Sequence, residues 1–258
     1  MGKQALGQRL CRQRSFKTSH RECLASIACL HTESINIWSH LLATLWFFAS
    51  ICRFAGGLEI PYTTSTAATL FYLVANIVCF ACSTLYHVFA NHARANAYQY
   101  MDHLGITAVI WASSISLTTL SFESHPKEQW MHGILISIVA ALCFLYLLCG
   151  SQYGSSDRQN RIYIHTVLGS LAMLSGLRNW QIRWARHRSG QLFTDFAIMV
   201  LFNGVGGAIY ATHLLDKTLG TKLGTLDISH NAMHILFIVG SVVYEQSLMR
   251  TYHDMLDE

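Results

Sequence analysis

Apolar and polar positions alternate in blocks along this chain, not residue by residue. Seven apolar runs of about membrane-crossing length, roughly 20 residues each, fall at Ile37–Gly56, Thr66–Ala90, Tyr98–Leu120, Trp130–Cys149, Arg161–Leu177, Leu192–Leu215 and Asp227–Leu248. Short polar links separate them at Asn91–Ala97, Glu123–Gln129, Gly150–Asn160, Asn179–Gln191 and Lys217–Leu226. This pattern predicts an all-α bundle of seven transmembrane helices, and the links are short enough to make consecutive helices antiparallel neighbours. Both prolines, Pro61 and Pro126, fall between runs and are expected in loops. The division predicted is a basic amino-terminal tail at 1–30, a seven-span membrane domain at 31–250 and a short carboxyl-terminal tail at 251–258.

Composition supports the membrane reading. Only 12% of residues are charged and 52% are hydrophobic, with mean hydropathy +0.31, whereas a soluble domain carries about 25% charged residues. The net charge of +4 is modest, belongs to Lys and Arg flanking the spans, and gives no sign of nucleic acid as a partner. An odd number of spans puts the termini on opposite sides. Eleven of the 18 Lys and Arg residues fall on the amino-terminal side, six in the tail plus Arg94, Arg158, Arg161, Lys217 and Lys222. The positive-inside bias then predicts a multi-pass protein with a cytosolic amino-terminus, although basic residues between spans 5 and 6 pull the other way. The tail shows no cleavable leader, and Cys23–Leu30 within it is apolar enough to lie on the membrane surface as a short helix.

The eight cysteines show no framework spacing. Cys79-x-x-Cys82 alone is weak support for redox or metal chemistry, and most of the cysteines read as small hydrophobes. Gly204, Gly206, Gly207 and Ala211 suit close helix packing in span 6. His132 and His165 read as hydrogen-bonded packing residues.

Ionisable side chains inside apolar runs are costly and usually mark function. Ser83-x-x-x-His87 closes span 2, Asp102 follows fifteen residues later near the start of span 3, and His230-x-x-x-His234 opens span 7. Each i,i+4 pair shares one helix face. Seven alternating crossings bring all of them to the amino-terminal side at similar depth. Three imidazoles suit zinc, which prefers tetrahedral sites and in catalytic centres keeps one position for water. The expectation is a Zn2+ ion held by His87, His230 and His234 near the amino-terminal (cytosolic) face. Asp102 is placed to take the proton of its water, and Ser83 to bond that water or a substrate carbonyl. No Glu follows His230, so the zinc-protease signature is absent. Glu33, Asn36 and His40 also share a helix face. They either close one end of this buried site or anchor and cap span 1 at the interface.

Taken together, Glu33-x-x-Asn36-x-x-x-His40, Ser83-x-x-x-His87 with Asp102, and Asp227 leading into His230-x-x-x-His234 resemble the three motifs of the progestin and adipoQ receptor family, which includes the hemolysin III-related proteins. The likeness runs from about residue 30 to 250. It implies a seven-span zinc protein with the ligands already named, related to intramembrane metal-dependent hydrolases such as alkaline ceramidases. The implied function is ceramidase-like hydrolysis of a lipid amide by a lipid amidohydrolase, with a role in lipid metabolism or signalling. Ceramide or another lipid amide is the implied substrate, and the bilayer the host. Two other classes stay open: a receptor with structural zinc and an extracellular ligand, and a protein of metal or sterol homeostasis. A transporter would carry ionisable groups along a whole path, whereas here they cluster at one face. The chain departs from the family where an Arg-x-Pro-Glu stretch often follows span 6; His213-Leu214-Leu215-Asp216 stands there instead. The tail also lacks the long extension of the animal adiponectin receptors.

Overall fold

The computed structural model of the chain describes residues 19–56, 63–149, 155–184, 190–220 and 227–256. Among them the regular structure is entirely helical. A short helix, α1 (His20–Ser26), precedes seven long ones: α2 (Ser34–Gly56), α3 (Thr64–Val88), α4 (Ala95–Ser121), α5 (Pro126–Cys149), α6 (Ser155–Trp184), α7 (Gln191–Thr212) and α8 (Ile228–Leu256). Six of the seven, all but α6, are long and apolar enough to cross a membrane. The chain is a multi-pass integral membrane protein. Large apolar side chains cover its exterior, Leu42, Phe48, Leu142 and Leu201 among them, as expected when the surrounding solvent is lipid.

Helix ends differ from the expected boundaries in instructive ways. Pro126 is not in a loop but opens α5, where a missing N–H is harmless and a fixed φ suits the first turn. Residues 155–160, expected as loop, belong to α6, and that helix runs through Asn179 to Trp184 instead of ending at Leu177. Helix α8 continues past Leu248 to Leu256, into the segment expected as a tail. Helix α7 ends at Thr212, where His213 takes a left-handed conformation (φ 51°), and part of the following link, Asp216–Gly220, forms a π turn. Residues 1–18, Pro61, 150–154, Arg186, His187, Arg188 and 221–226 lie outside the described residues.

Helix α4 lies at the centre of the bundle, packing on α3, α5, α6, α7 and α8. Its composition allows this. Ser113, Ser114, Ser116, Thr107 and Thr118 are all buried, and small side chains let neighbouring backbones approach. Several of these hydroxyls return to carbonyls of their own helix: Ser113 and Ser114 both donate to Ile110 O, at 3.1 and 2.5 Å. The closest approach is to α3, where a Cβ on Gly105 would lie 2.9 Å from the Cα of Cys79. Cys79 and Cys82 are free thiols. Of the small residues expected to pack span 6, Gly206 does so, facing Met233 of α8, while Gly204 and Gly207 have open space. The helix phase, invisible in composition, selects one of the three.

Aromatic side chains fill the axis of the bundle. Phe47, Phe80, Tyr72, Phe196 and Tyr244 are buried in one cluster. Their polar atoms have partners: the Tyr72 hydroxyl donates to Ser241 O at 2.8 Å, and the Tyr244 and Ser116 hydroxyls pair at 3.0 Å. At one end, Tyr252 of α8 bonds Thr66 at the start of α3 (2.9 Å) and packs on Phe54 near the end of α2. Helix α8 therefore runs the length of the bundle, and its start lies at the opposite end. That opposite end gathers the starts of α2, α4 and α8 and the finish of α3. Helix α1 covers it, burying Cys23 with Ile37, Val88 and Phe89. A capping box fixes the start of α1: Ser19 Oγ accepts from Glu22 N, and the Glu22 carboxylate accepts from Ser19 N at 2.8 Å. A short helix is thus present in this stretch, at His20–Ser26 and not at the expected Cys23–Leu30.

Candidate metal centre

Three imidazoles meet at the end covered by α1. His87 comes from the last turn of α3, and His230 and His234 from the first two turns of α8. One ligand atom from each lies within 4.8 Å of the other two. His87 and His234 are buried and His230 half-buried. Nε2 of His230 and Nε2 of His234 are 2.9 Å apart. Two ligand nitrogens each about 2.0–2.1 Å from a tetrahedral zinc stand about 3.4 Å apart, so this pair needs to open by only a few tenths of an ångström. The donor set suits a first-row metal: three imidazole nitrogens, packed together.

Each histidine uses its other nitrogen elsewhere. His87 Nδ1 lies 2.8 Å from Glu33 Oε2. His234 Nδ1 lies 2.6 Å from His40 Nε2. His230 Nδ1 lies 3.4 Å from Asp227 Oδ2, and Asp227 Oδ1 also accepts the His230 backbone N–H at 3.3 Å. Outer partners of this kind fix the tautomer of a ligating histidine and aim its other nitrogen. With Nδ1 so engaged, Nε2 is the nitrogen left to each ring for the shared point.

Glu33 stands just before α2, and a tight turn sets its position. His31 N donates to Ser34 Oγ at 2.9 Å, Glu33 N donates to His31 Nδ1 at 3.1 Å, and Asn36 Nδ2 donates to the Glu33 carboxylate at 3.1 Å. Burial alone would raise the Glu33 pKa. The hydrogen bonds of His87 and Asn36, reinforced by His87 and His230 whenever those rings are protonated, overcome that and hold it below the usual carboxylate range. Glu33 is therefore an ionised acceptor at neutral pH. Glu33, Asn36 and His40 thus do belong to this cluster, and Glu33 and His40 touch its histidines directly. Spacing along the chain put these three on one face but could not show which imidazoles they would meet.

Ser83 sits one turn before His87 and is buried. Asp102 of α4 lies beside Ser83 and within electrostatic reach of His230. The structure thus brings all five predicted site residues to one region. His132 and His165 lie elsewhere and make packing bonds, to Ser175 Oγ (3.0 Å) and Thr107 Oγ1 (3.1 Å). Phe80 and Tyr210 wall the cluster, with ring centroids 5.0 Å from His40 and 4.9 Å from His230 respectively. Two buried carboxylates were not singled out from the sequence: Glu245, in α8 toward the far end, whose Oε2 accepts from the Trp46 indole at 3.3 Å, and Asp195 near the start of α7, whose Oδ2 accepts from Gln191 Nε2 at 2.9 Å. Each is a single acid in its stretch, without the paired i,i+4 spacing that marked the histidines.

Comparison with known proteins adds a family. Residues 28–244 match the family described as Haemolysin-III related. Among curated relatives, the chain is 23% identical over 242 residues to "ADIPOR-like receptor IZH1" of Eremothecium gossypii, covering 91% of this chain and 76% of that one. It is 24% identical over 250 residues to "Adiponectin receptor protein" of Drosophila melanogaster, covering 93% and 55%. It is 26% identical over 243 residues to "Uncharacterized protein C30D11.11" of Schizosaccharomyces pombe, covering 91% and 54%. The chain spans about half the length of the last two.

Proposed function

The chain belongs to the haemolysin-III related family, and on that premise we propose that it is a zinc-dependent lipid amidohydrolase working inside the membrane, with ceramide-like amides as its substrate class. The observation that carries this reading is the convergence of His87, His230 and His234, with Asp102 and Ser83 beside them. The three histidines would hold zinc. When bound, the ion supplies a Lewis acid and lowers the pKa of water toward 7.

The chain's own residues then divide the remaining work. Asp102 accepts a proton from the attacking water and returns it to the departing amine nitrogen. The carbonyl carbon gains a C–O bond, the C–N bond breaks, and a carboxylate and an amine leave. Ser83, beside Asp102, has one hydroxyl proton to donate, and gives it either to that carboxylate to hold it in place or to the substrate carbonyl to orient it. The location suits a lipid. The cluster lies at the helix ends, where the polar linkage of a lipid sits, and the positive-inside bias makes this the cytosolic end. A shallow apolar groove between α2 and α8, lined by Leu42, Ala43, Ile235 and Ile238, runs along the two helices that carry His40 and His234 and offers a track for an acyl chain.

The test is turnover of a short-chain ceramide by the purified protein in lipid nanodiscs. Wild type is expected to release free fatty acid, and Asp102→Ala to lower the rate by at least about 100-fold while keeping its zinc, the size expected for loss of a general base. Equal turnover in the two sinks the mechanism. The names of the relatives favour a second reading, a receptor whose zinc is structural. Saturable ligand binding that survives Asp102→Ala, with no hydrolysis in wild type, selects it.

A further inference from the structure

We propose that Glu33 and His40 are positioning residues of the metal centre: from the start of α2 they hold Nδ1 of His87 and of His234, and so aim the two Nε2 atoms at one point. This rests on the zinc reading above. It assigns work to a helix that contributes no ligand.

Two distances carry the argument. Glu33 Oε2 is 2.8 Å from His87 Nδ1, and His40 Nε2 is 2.6 Å from His234 Nδ1. Both are charge-assisted or short enough to be strong hydrogen bonds. They reach two different helices, α3 and α8, from one stretch of eight residues. Glu33 and His40 lie seven positions apart, two helical turns, so one face of α2 presents both groups. A neutral imidazole carries one proton. If Nδ1–H of His87 donates to Glu33, Nε2 keeps its lone pair. If Nδ1–H of His234 donates to His40 Nε2, Nε2 of His234 keeps its own. The Glu33 carboxylate, which can only accept, therefore selects the His87 tautomer that a metal requires, and the His40 contact fixes the His234 ring with Nδ1 engaged so that Nε2 faces the shared point. An unheld imidazole could rotate about χ2 or take the other tautomer, and a cation would have to bear the cost of ordering it.

The anchoring behind these groups is itself built. Asn36 bonds Glu33, and the 29–34 turn is closed by Ser34 Oγ donating to Cys29 O at 3.1 Å. His40 is buried and its ring edge packs on Phe80. Helix α2 packs on both α3 and α8, so the backbone that presents Glu33 and His40 is fixed against the two helices that present the ligands.

Zinc affinity of the full-length protein in nanodiscs tests this, measured by competition with a chromophoric chelator, with elemental analysis for stoichiometry and far-UV circular dichroism for helix content. Glu33→Ala and His40→Ala are each expected to bind zinc about 10- to 100-fold more weakly at unchanged helix content. Glu33→Gln and His40→Gln keep an acceptor on the same nitrogen and are expected to recover part of that loss, which a merely structural role would not produce. Should an alanine variant fail to fold, its glutamine counterpart carries the test: an affinity below wild type supports the assignment. Wild-type affinity in the folded variants overturns the positioning role while leaving the zinc reading intact. A wild-type protein that binds no zinc overturns both.

Discussion

Cys79 of α3 and Gly105 of α4 touch backbone to backbone: a Cβ on Gly105 would stand 2.9 Å from the Cα of Cys79. The contact sets the register of the site. Cys79 precedes Ser83 by four residues and Gly105 follows Asp102 by three, so in antiparallel helices Ser83 and Asp102 lie side by side one turn nearer the membrane face. Gly105→Ala is expected to push α3 and α4 apart, cost about 1–3 kcal/mol as overpacking does, and weaken the Ser83–Asp102 pair. Thermal unfolding in nanodiscs reads the first effect and ceramide turnover the second. Because the clash is with main chain, Cys79→Ala should not rescue it. Rescue by that second change would show that the side chain, not the helix approach, is what Gly105 accommodates.

Zinc should stabilise the protein by mass action. A ligand that binds only the folded state at 100 times its Kd adds about 2.7 kcal/mol. Thermal unfolding of the chelator-stripped protein is expected to shift upward on adding zinc. His234→Ala should abolish the shift, since it removes one of three nitrogens that lie within 4.8 Å of one another. A wild type indifferent to zinc, or a His234→Ala protein that still responds fully, contradicts the assignment of these imidazoles.

The far end of the bundle offers a contrast. The Tyr252 hydroxyl meets Thr66 at 2.9 Å and both residues are buried. Tyr252→Phe removes this bond, leaves the Thr66 hydroxyl paired with Thr63 Oγ1 at 2.8 Å, and is expected to cost about 0.5–1.5 kcal/mol. Zinc content should not change, because the bond lies at the other end of α8 from His230 and His234. Loss of zinc in Tyr252→Phe would mean that the two ends of α8 are coupled.

What could be read from the chain and what could not divide along physical lines. His87, His230, His234, Ser83 and Asp102 were legible because polar groups in apolar runs are few, their spacing is helical, and an even number of crossings between Asp102 and His230 returns them to one side. The roles of Glu33 and His40 were not, because spacing fixes a helix face but not the neighbour it meets. Helix limits failed where spans outrun the bilayer: Asn179–Trp184 and Arg250–Leu256 are polar in sequence yet helical, since a helix that has been nucleated and packed propagates cheaply into water. Gly105 and Gly240 went unread beside the glycines of span 6. Gly240 nonetheless lies close to Met199, whose carbonyl oxygen would be 3.2 Å from an added Cβ. A small residue declares that a close approach is allowed, not that one occurs.

Asp216 shows how a departure from a family pattern can be read physically. It stands in the His213–Asp216 segment and works as a cap for α8 supplied from twelve residues upstream. Its Oδ1 accepts from Ile228 N at 2.8 Å and Ser229 N at 3.2 Å, while Ser229 Oγ accepts from Asp216 N at 3.2 Å. Burial pushes its pKa up, but bonds from the Ser229 hydroxyl and N–H, from His213 and from Ile228 N–H outweigh that and bring it below the usual value. A depressed carboxyl stabilises the fold above the unfolded pKa, about 3.9, and loses that contribution only as pH falls through the lower folded value. Hydrogen exchange at Ile228 and Ser229 should therefore stay slow through pH 4 and quicken below it. Asp216→Ala should speed that exchange at neutral pH, cost about 0.5–2 kcal/mol as loss of a helix cap does, and weaken zinc binding by loosening the turn that carries His230. Asp216→Asn, which keeps the acceptor oxygen, should fall between the two. Exchange that is equally slow in wild type and Asp216→Ala would mean that the start of α8 is held by its packing on α7 alone.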